Sequence, residues 1–274
     1  MSPALSVDTS GAKVRSWILV GLIIFAAIAL RIRLLDVPLE RDEGEYAYAG
    51  QLMLQGIPPY KLAFNMKFPG TYAAYAAIMA VFGETASGIH IGLLLVNAAS
   101  ILFVYLLGRR WLGETAGLAG SAAYALLTIS PSVYGSQAHA THFVVLAALG
   151  GTLQLMQGLD QRRWQALVWS GVLYGIAILM KQHGVFFAIF GMAYLGWDHF
   201  AGRREWRLTV VQKLALLAGG VLAPLTLTFF WLWAAGVFGR FWFWTFTYAR
   251  EYVTNLPFSI GMSAFTFGFP AAVG

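Results

Sequence analysis

The residues of this sequence that could do chemistry are few, and they cluster. Residues 38–50 read PLERDEGEYAYAG, and Glu40, Asp42, Glu43 and Glu45 place four carboxylates within six positions. Carboxylates so close together can take a proton as general bases or cap the free N–H groups at a helix start. Asp42 and Glu43 begin a helix-like stretch, DEGEYAYAGQLMLQG, that stops at Gly56 ahead of Pro58 and Pro59, so capping and carboxylate chemistry are both open to them. Three isolated cations complete the set. Lys67, in NMKFPG, either snorkels to headgroups or shares a pocket with the acidic helix. Lys181, in LMKQHG, stands between two apolar runs, where a charge is costly enough to suggest a site, with interfacial snorkelling as the rival. Arg250, in TYAREYV, carries the planar donor fork that suits phosphate, and it could equally pair with Glu251 or stack in an aromatic belt.

Other polar residues read as structural. His139 and His142, three apart in GSQAHATHF, could share a helix face, but two histidines without a third ligand favour a packed or hydrogen-bonded pair over a metal site. Arg31 and Arg33 are expected to neutralise Glu40 or Glu45. The chain has no cysteine, which excludes disulfides, thiolate catalysis and Cys-ligated zinc. Neither a P-loop nor a GxGxxG fingerprint after a strand is present, so nucleotide-dependent chemistry gets no support.

The elements that must position these residues are membrane helices. Of 274 residues, 59% are hydrophobic and 11% charged, and mean hydropathy is +0.67. Soluble domains carry about a quarter charged residues. Several apolar runs approach the ~20 residues that cross a bilayer as helix, and the short alternating strands of a barrel are missing. The composition therefore predicts an all-α polytopic membrane protein. Expected spans are 17–35, 87–108, 115–133, 139–159, 164–180, 185–199 and 208–235, with an eighth starting near Pro257. The first run lacks a convincing cleavage site and reads as an uncleaved helix rather than a signal peptide. The apolar ending, FSIGMSAFTFGFPAAVG, suggests a chain that continues.

The apolar run 68–83 is short for a span, and charge decides how to read it. If it does not cross, Lys13/Arg15, Arg109/Arg110, Arg162/Arg163 and Arg203/Arg204/Arg207/Lys213 all fall on one side, the cytoplasmic one. The run is then an interfacial helix, and residues 36–86 form a first extracytoplasmic loop with the acidic cluster in it. The net charge of +6 reflects this topology, and nothing points to nucleic acid.

The stretches LRIRLLDVPLERDEGEYAYAGQLMLQGIPPY, KFPGTYAAYAAIMAVFG and YLLGRRWLGETAG together resemble the polyprenyl-phosphate-dependent glycosyltransferases of the C-type fold. The resemblance is to the bacterial relatives of protein O-mannosyltransferases and lipid A aminoarabinose transferases, over residues 17–252. It implies a cytoplasmic tail (1–16) and the N-terminal part of a transmembrane glycosyltransferase domain (17–274), about eight spans plus interfacial helices in the loop 36–86. It implies transfer of a monosaccharide from a polyprenyl-phosphate donor to a lipid, glycan or protein hydroxyl. Asp42 matches the family's catalytic acid, beside Glu43. Lys67 and Arg250 match residues that contact the donor phosphate, and Lys181 sits where members often carry a lysine between helices. Met66 departs from the acidic residue of some relatives, and His139–His142 occupy a region where relatives often place a carboxylate. No cofactor is implied outright, and a divalent cation is compatible with the chemistry. The rival readings are a sugar or lipid flippase and a non-catalytic assembly subunit.

Overall fold

The computed structural model describes residues 9–130, 133–202, 206–254, 259–263 and 266. Every regular element among them is a helix. In chain order these are α1 (Thr9–Arg31), α2 (Arg41–Leu54), α3 (Gly70–Phe82), α4 (Ala86–Leu112), α5 (Glu114–Leu127), α6 (Ala140–Gln161), α7 (Trp164–Met180), α8 (Val185–Phe200), α9 (Val210–Ala234), α10 (Phe238–Trp242) and α11 (Ala249–Thr254). A π-helical segment, Phe243–Tyr248, joins the last two. Helix starts follow local chemistry. Thr85 accepts from the Gly88 N–H to open α4, and Thr209 and Gln212 cap α9 reciprocally.

Among the described residues, four segments are long and apolar enough to cross a membrane: Val14–Leu34, Ala86–Leu112, Ala140–Gln161 and Val210–Ala234. α7 is apolar but has 17 residues, α8 has 16 and α5 has 14. At 1.5 Å per residue α5 is about 21 Å long, short of a ~30 Å hydrocarbon core. The sequence expected α5 to run to Val133; it stops at Leu127, and turns follow. The start of the expected eighth span near Pro257, like Arg203 and Arg204, falls on residues outside the described set, although residues 259–263 within it are helical.

The helix ends gather in two layers. At one end Arg110 pairs with Asp160, tying the end of α4 to that of α6. There Trp17 packs edge-on against Tyr105, and the Tyr105 hydroxyl donates to Glu114 at 2.6 Å, adding the starts of α1 and α5. At the opposite end Arg31 donates to the carbonyls of Gly135 and, at 2.8 Å, Thr128. Arg31 therefore clamps the end of α1 onto the α5–α6 turn and does not neutralise Glu40 or Glu45. Arg33 is exposed and forms no ion pair among the described residues. The start of α3 also belongs to this second layer, because the Thr71 hydroxyl donates to the Met180 carbonyl at 2.7 Å. α3 finishes at Phe82, immediately before α4 begins, so both of its ends lie in the layer that carries α2.

α7 and α9 run parallel, with Gly171 near Leu217 and Gly175 near Val221. Lipid tails are as apolar as leucine, so close backbone contact rather than the hydrophobic effect holds such helices together. A Cβ on Gly171 would lie 2.1 Å from the Leu217 carbonyl oxygen, and one on Gly220 2.2 Å from that of Val168. Gly219, on the same helix, would meet nothing within 4 Å. Gly171→Leu and Gly220→Leu are expected to destabilise the protein by at least ~1–3 kcal/mol in thermal unfolding in detergent, while Gly219→Leu leaves the melting temperature unchanged.

Candidate functional site

The acidic stretch starts α2 with a division of labour. The Glu40 carboxylate accepts from the Asp42 N–H at 2.8 Å, and the Glu43 carboxylate accepts from the Glu40 N–H at 3.0 Å, forming a capping box. Capping thus falls to Glu40 and Glu43, and the Asp42 side chain is released from it. Its Oδ2 faces Lys67 Nζ at 2.9 Å, the Tyr46 hydroxyl at 3.3 Å and His139 Nε2 at 3.5 Å; its Oδ1 faces Arg41 at 3.2 Å. Tyr46 is one helical turn after Asp42. It accepts from Lys67 at 2.6 Å, and the ammonium lies 4.5 Å from its ring centre.

Lys67 reaches this point because its loop is held at two successive carbonyls. The buried Tyr60 donates to Lys67 O at 2.6 Å, and Gln182 donates to Met66 O at 2.5 Å. Behind the loop, a Cβ on Gly70 would lie 2.5 Å from the Leu179 carbonyl oxygen, so the start of α3 sits directly on the end of α7. That contact brings Lys181, the residue after α7, to the same corner. Lys181 is half-buried, and its side chain makes no hydrogen bond or ion pair among the described residues. Burial and then the charge of Lys67 push its pKa down, against the pull of Asp42.

The electrostatics of Asp42 follow from these neighbours. Burial pushes its carboxyl up, but the hydrogen bond and charge of Lys67, then those of Arg41, outweigh it and hold the pKa at about 2. Burial drives the Tyr46 hydroxyl well above its usual range, reinforced by the charges of Asp42 and Glu45. Glu45 is bonded by Asn65 and faces the Tyr72 hydroxyl at 3.5 Å. Burial raises its pKa, opposed by the charge of Lys67 and the Asn65 hydrogen bond.

Glu43, read from sequence as part of the catalytic pair, occupies a different place. Its side chain is 1% exposed, and both oxygens are engaged. Oε1 accepts from the Ala138 N–H at 2.5 Å and faces His90 Nε2 at 3.1 Å, while Oε2 takes the Glu40 N–H. His90 Nδ1 donates to the Leu35 carbonyl at 2.8 Å. One buried carboxylate therefore joins the end of the α1 region, the start of α2, the body of α4 and the start of α6. Glu43 braces the helix that presents Asp42, with no oxygen left for a reacting proton. Burial raises its pKa, but the His90 and backbone N–H bonds lower it further, leaving it ionised.

The structure does not bring Arg250 to this cluster by any hydrogen bond or ion pair; it is exposed on α11. The preceding aromatic segment does reach the Lys67 loop, through a Phe64–Trp244 stack at 4.4 Å and a 3.0 Å bond from Arg240 to Lys61 O. His139 and His142 do not pair with each other. His142 donates to the Tyr134 carbonyl at 3.1 Å, and His139 faces Asp42. Among the described residues no group of three His, Asp or Glu side chains could hold a metal ion.

Two apolar grooves open beside the cluster. One, of about 460 Å³, lies between α4, α6 and α7, lined by Phe103, Phe143, Leu146 and Leu153; the other, of about 370 Å³, lies between α3, α7 and α9, lined by Ala73 and Trp231. Ile176 and Met180 line both, and Met180 immediately precedes Lys181.

Residues 67–235 match the family described as dolichyl-phosphate-mannose-protein mannosyltransferase. The chain belongs to that family. The match begins at Lys67 and includes His139 and Lys181, with Asp42 preceding it. The undecaprenyl phosphate-alpha-4-amino-4-deoxy-L-arabinose arabinosyl transferase of Pseudomonas aeruginosa is 31% identical over 222 residues, covering 74% of this chain and 38% of the relative. The protein of the same name from Pseudomonas paraeruginosa is 31% identical over 225 residues, with the same coverage. The chain thus spans well under half the length of these relatives. No solved structure matches it significantly.

Sequence reasoning missed Tyr46, although its position four residues after Asp42 on one helix face was a usable signal. It also missed the contacts of His90, Tyr60, Gln182 and His139, which have no signal in local pattern. Two outcomes check this geometry. In Lys67→Met the main influence holding the Asp42 carboxyl down is lost while burial remains, so its pKa should rise from about 2, read by carboxyl NMR of labelled aspartate. Glu43→Ala should cost about 3–5 kcal/mol in unfolding measurements, as loss of one partner from a buried pair does, because it also strands the Ala138 N–H.

Proposed function

We propose that this chain forms the donor-binding and catalytic part of an integral-membrane glycosyltransferase that moves a monosaccharide from a polyprenyl-phosphate donor to an acceptor hydroxyl. The observation that carries the reading is the 2.9 Å Asp42–Lys67 pair, with Lys181 close enough for its charge to be felt there and two apolar grooves that share Met180, the residue before Lys181. A polyprenyl-phosphate sugar needs these three things together: a carboxylate for the acceptor proton, cations for the departing phosphate, and apolar space for the tail. The names of the Pseudomonas relatives support an undecaprenyl-phosphate-linked amino sugar as the first donor to try.

The reaction is a direct displacement. The acceptor oxygen bonds to the sugar's anomeric carbon as the bond from that carbon to the phosphate oxygen breaks, and the electron pair leaves with the phosphate. Asp42 receives the acceptor's proton. Lys67, shared in the resting state between Asp42 and Tyr46, and Lys181 stabilise the charge that grows on the phosphate. With one attacking base and no second nucleophile at the site, the configuration inverts. Arg250 is a further phosphate ligand in this reading, engaged when donor is present. The acceptor in this reading is a lipid, glycan or protein hydroxyl.

Sidedness follows from charge. Arg109, Arg110, Arg162, Arg163 and Lys213 belong to the layer opposite Asp42, which supports a cytoplasmic face there and an extracytoplasmic site, with α2 and α3 along the outer interface of a bacterial inner membrane. A flippase would place its charges midway along broken helices, whereas here they lie at helix ends. The test is transfer of labelled sugar from undecaprenyl-phosphate aminoarabinose in proteoliposomes, using the full-length protein and a panel of lipid, glycan and peptide acceptors. Asp42→Asn is expected to insert normally and to lower the rate by about 10²–10⁴-fold; an unchanged rate would remove Asp42 as the base.

A further inference from the structure

Asp42 is well placed to receive a proton and poorly suited to keep one. Burial pushes its carboxyl up, but Lys67 and Arg41 outweigh that and hold it at about 2, well below neutral pH. Bases serve best when their pKa lies nearer the working pH. One such group touches Asp42. His139 Nε2 lies 3.5 Å from Asp42 Oδ2, and the His139 side chain is 15% exposed. Its Nδ1 meets the Thr141 hydroxyl at 2.5 Å, and its ring stacks on Tyr134 at 5.2 Å and 18°. Ring position and orientation are thus set by contacts that do not involve Asp42.

Resting on the glycosyltransferase reading, we propose that His139 is a proton relay, taking from Asp42 the proton that Asp42 removes from the acceptor hydroxyl and passing it to solvent. The relay uses the tautomer in which Nδ1–H donates to Thr141 Oγ1, leaving the Nε2 lone pair toward Asp42. At rest the 3.5 Å gap is longer than an ordinary hydrogen bond. A protonated Asp42 turns it into an O–H···N contact. The proton moves to Nε2, the carboxylate is regenerated beside Lys67, and the imidazolium returns to neutral by giving the Nε2 proton to a water that reaches the partly exposed ring. No bond to carbon changes in this step.

The groups facing His139 are Asp42, Glu40 and Tyr46 from α2, Lys67 from the loop before α3, Lys181 from the end of α7, Tyr134 from the preceding turn and His142 from α6. Burial and then Lys181 push the His139 pKa below 6.5, with Lys67 adding to this and Asp42 and Glu40 opposing it. The ring is therefore neutral and ready to accept at neutral pH. As pH falls through its pKa the relay fills and turnover drops.

The deciding experiment is the pH profile of kcat for the full-length protein, with undecaprenyl-phosphate aminoarabinose as donor, in wild type and His139→Gln. The expected result is an acid limb in wild type with its midpoint below 6.5. In His139→Gln that limb disappears and kcat falls by about 10²-fold, with the donor KM little changed. An acid limb that survives in His139→Gln overturns the relay while leaving the glycosyltransferase reading intact. Absence of transfer by wild type overturns that reading and the relay with it. The contact itself is checked without turnover by imidazole NMR. His139 should titrate below 6.5, and lower still in Asp42→Asn; a titration indifferent to Asp42 also overturns the relay.

Discussion

Asp42 and Lys67 lie 25 residues apart in the chain and 2.9 Å apart in space, each about one-sixth exposed. A half-buried carboxylate and a half-buried ammonium at the rim of an apolar bundle are each costly alone. Together, with the Tyr46 hydroxyl between them, they offset one another. The rest of this end of the molecule is the framework that keeps that pair assembled.

The framework works on both partners separately. On the acid side, Glu43 and His90 form a buried pair that ties α2 to α4, to Leu35 and to Ala138. On the lysine side, Tyr60 and Gln182 take the two carbonyls that flank the Met66–Lys67 peptide, and Gly70 lets the loop rest on the end of α7. The aromatic segment after α9 covers the loop through the Phe64–Trp244 stack. Few of these contacts touch the reactive groups themselves. They define where the groups can be, which is what preorganised electrostatics requires.

The same arrangement explains why the charges at the site have unlike roles. Among the acids, Glu40 and Glu43 satisfy backbone N–H groups, Glu45 is held by Asn65, and Asp42 makes the ion pair with Lys67. Among the cations, Arg31 is spent on the carbonyls of the α5–α6 turn, Lys67 is paired, and Lys181 is turned toward the pair with no described partner of its own.

Much of this was legible in the sequence, for physical reasons. Composition and run length establish helices in a membrane, because backbone groups in lipid must be satisfied within each segment. Trp164–Met180 was read to the residue, and the charge asymmetry that kept run 68–83 from crossing agrees with a helix whose two ends lie in one layer. Asp42 and Lys67 were legible as costly charges beside apolar runs. What tertiary structure decided is which acid does what. Within one helix start, four carboxylates of similar chemistry cannot be told apart by pattern, because capping, bracing and proton transfer all favour an acid there. Glu43 was separated from Asp42 only by the arrival of His90 and the Ala138 N–H from distant helices, and His139 was given its place by packing that brings α6 over α2. Local sequence specifies the helices and the cost of their charges; partners many residues away determine how each charge is compensated.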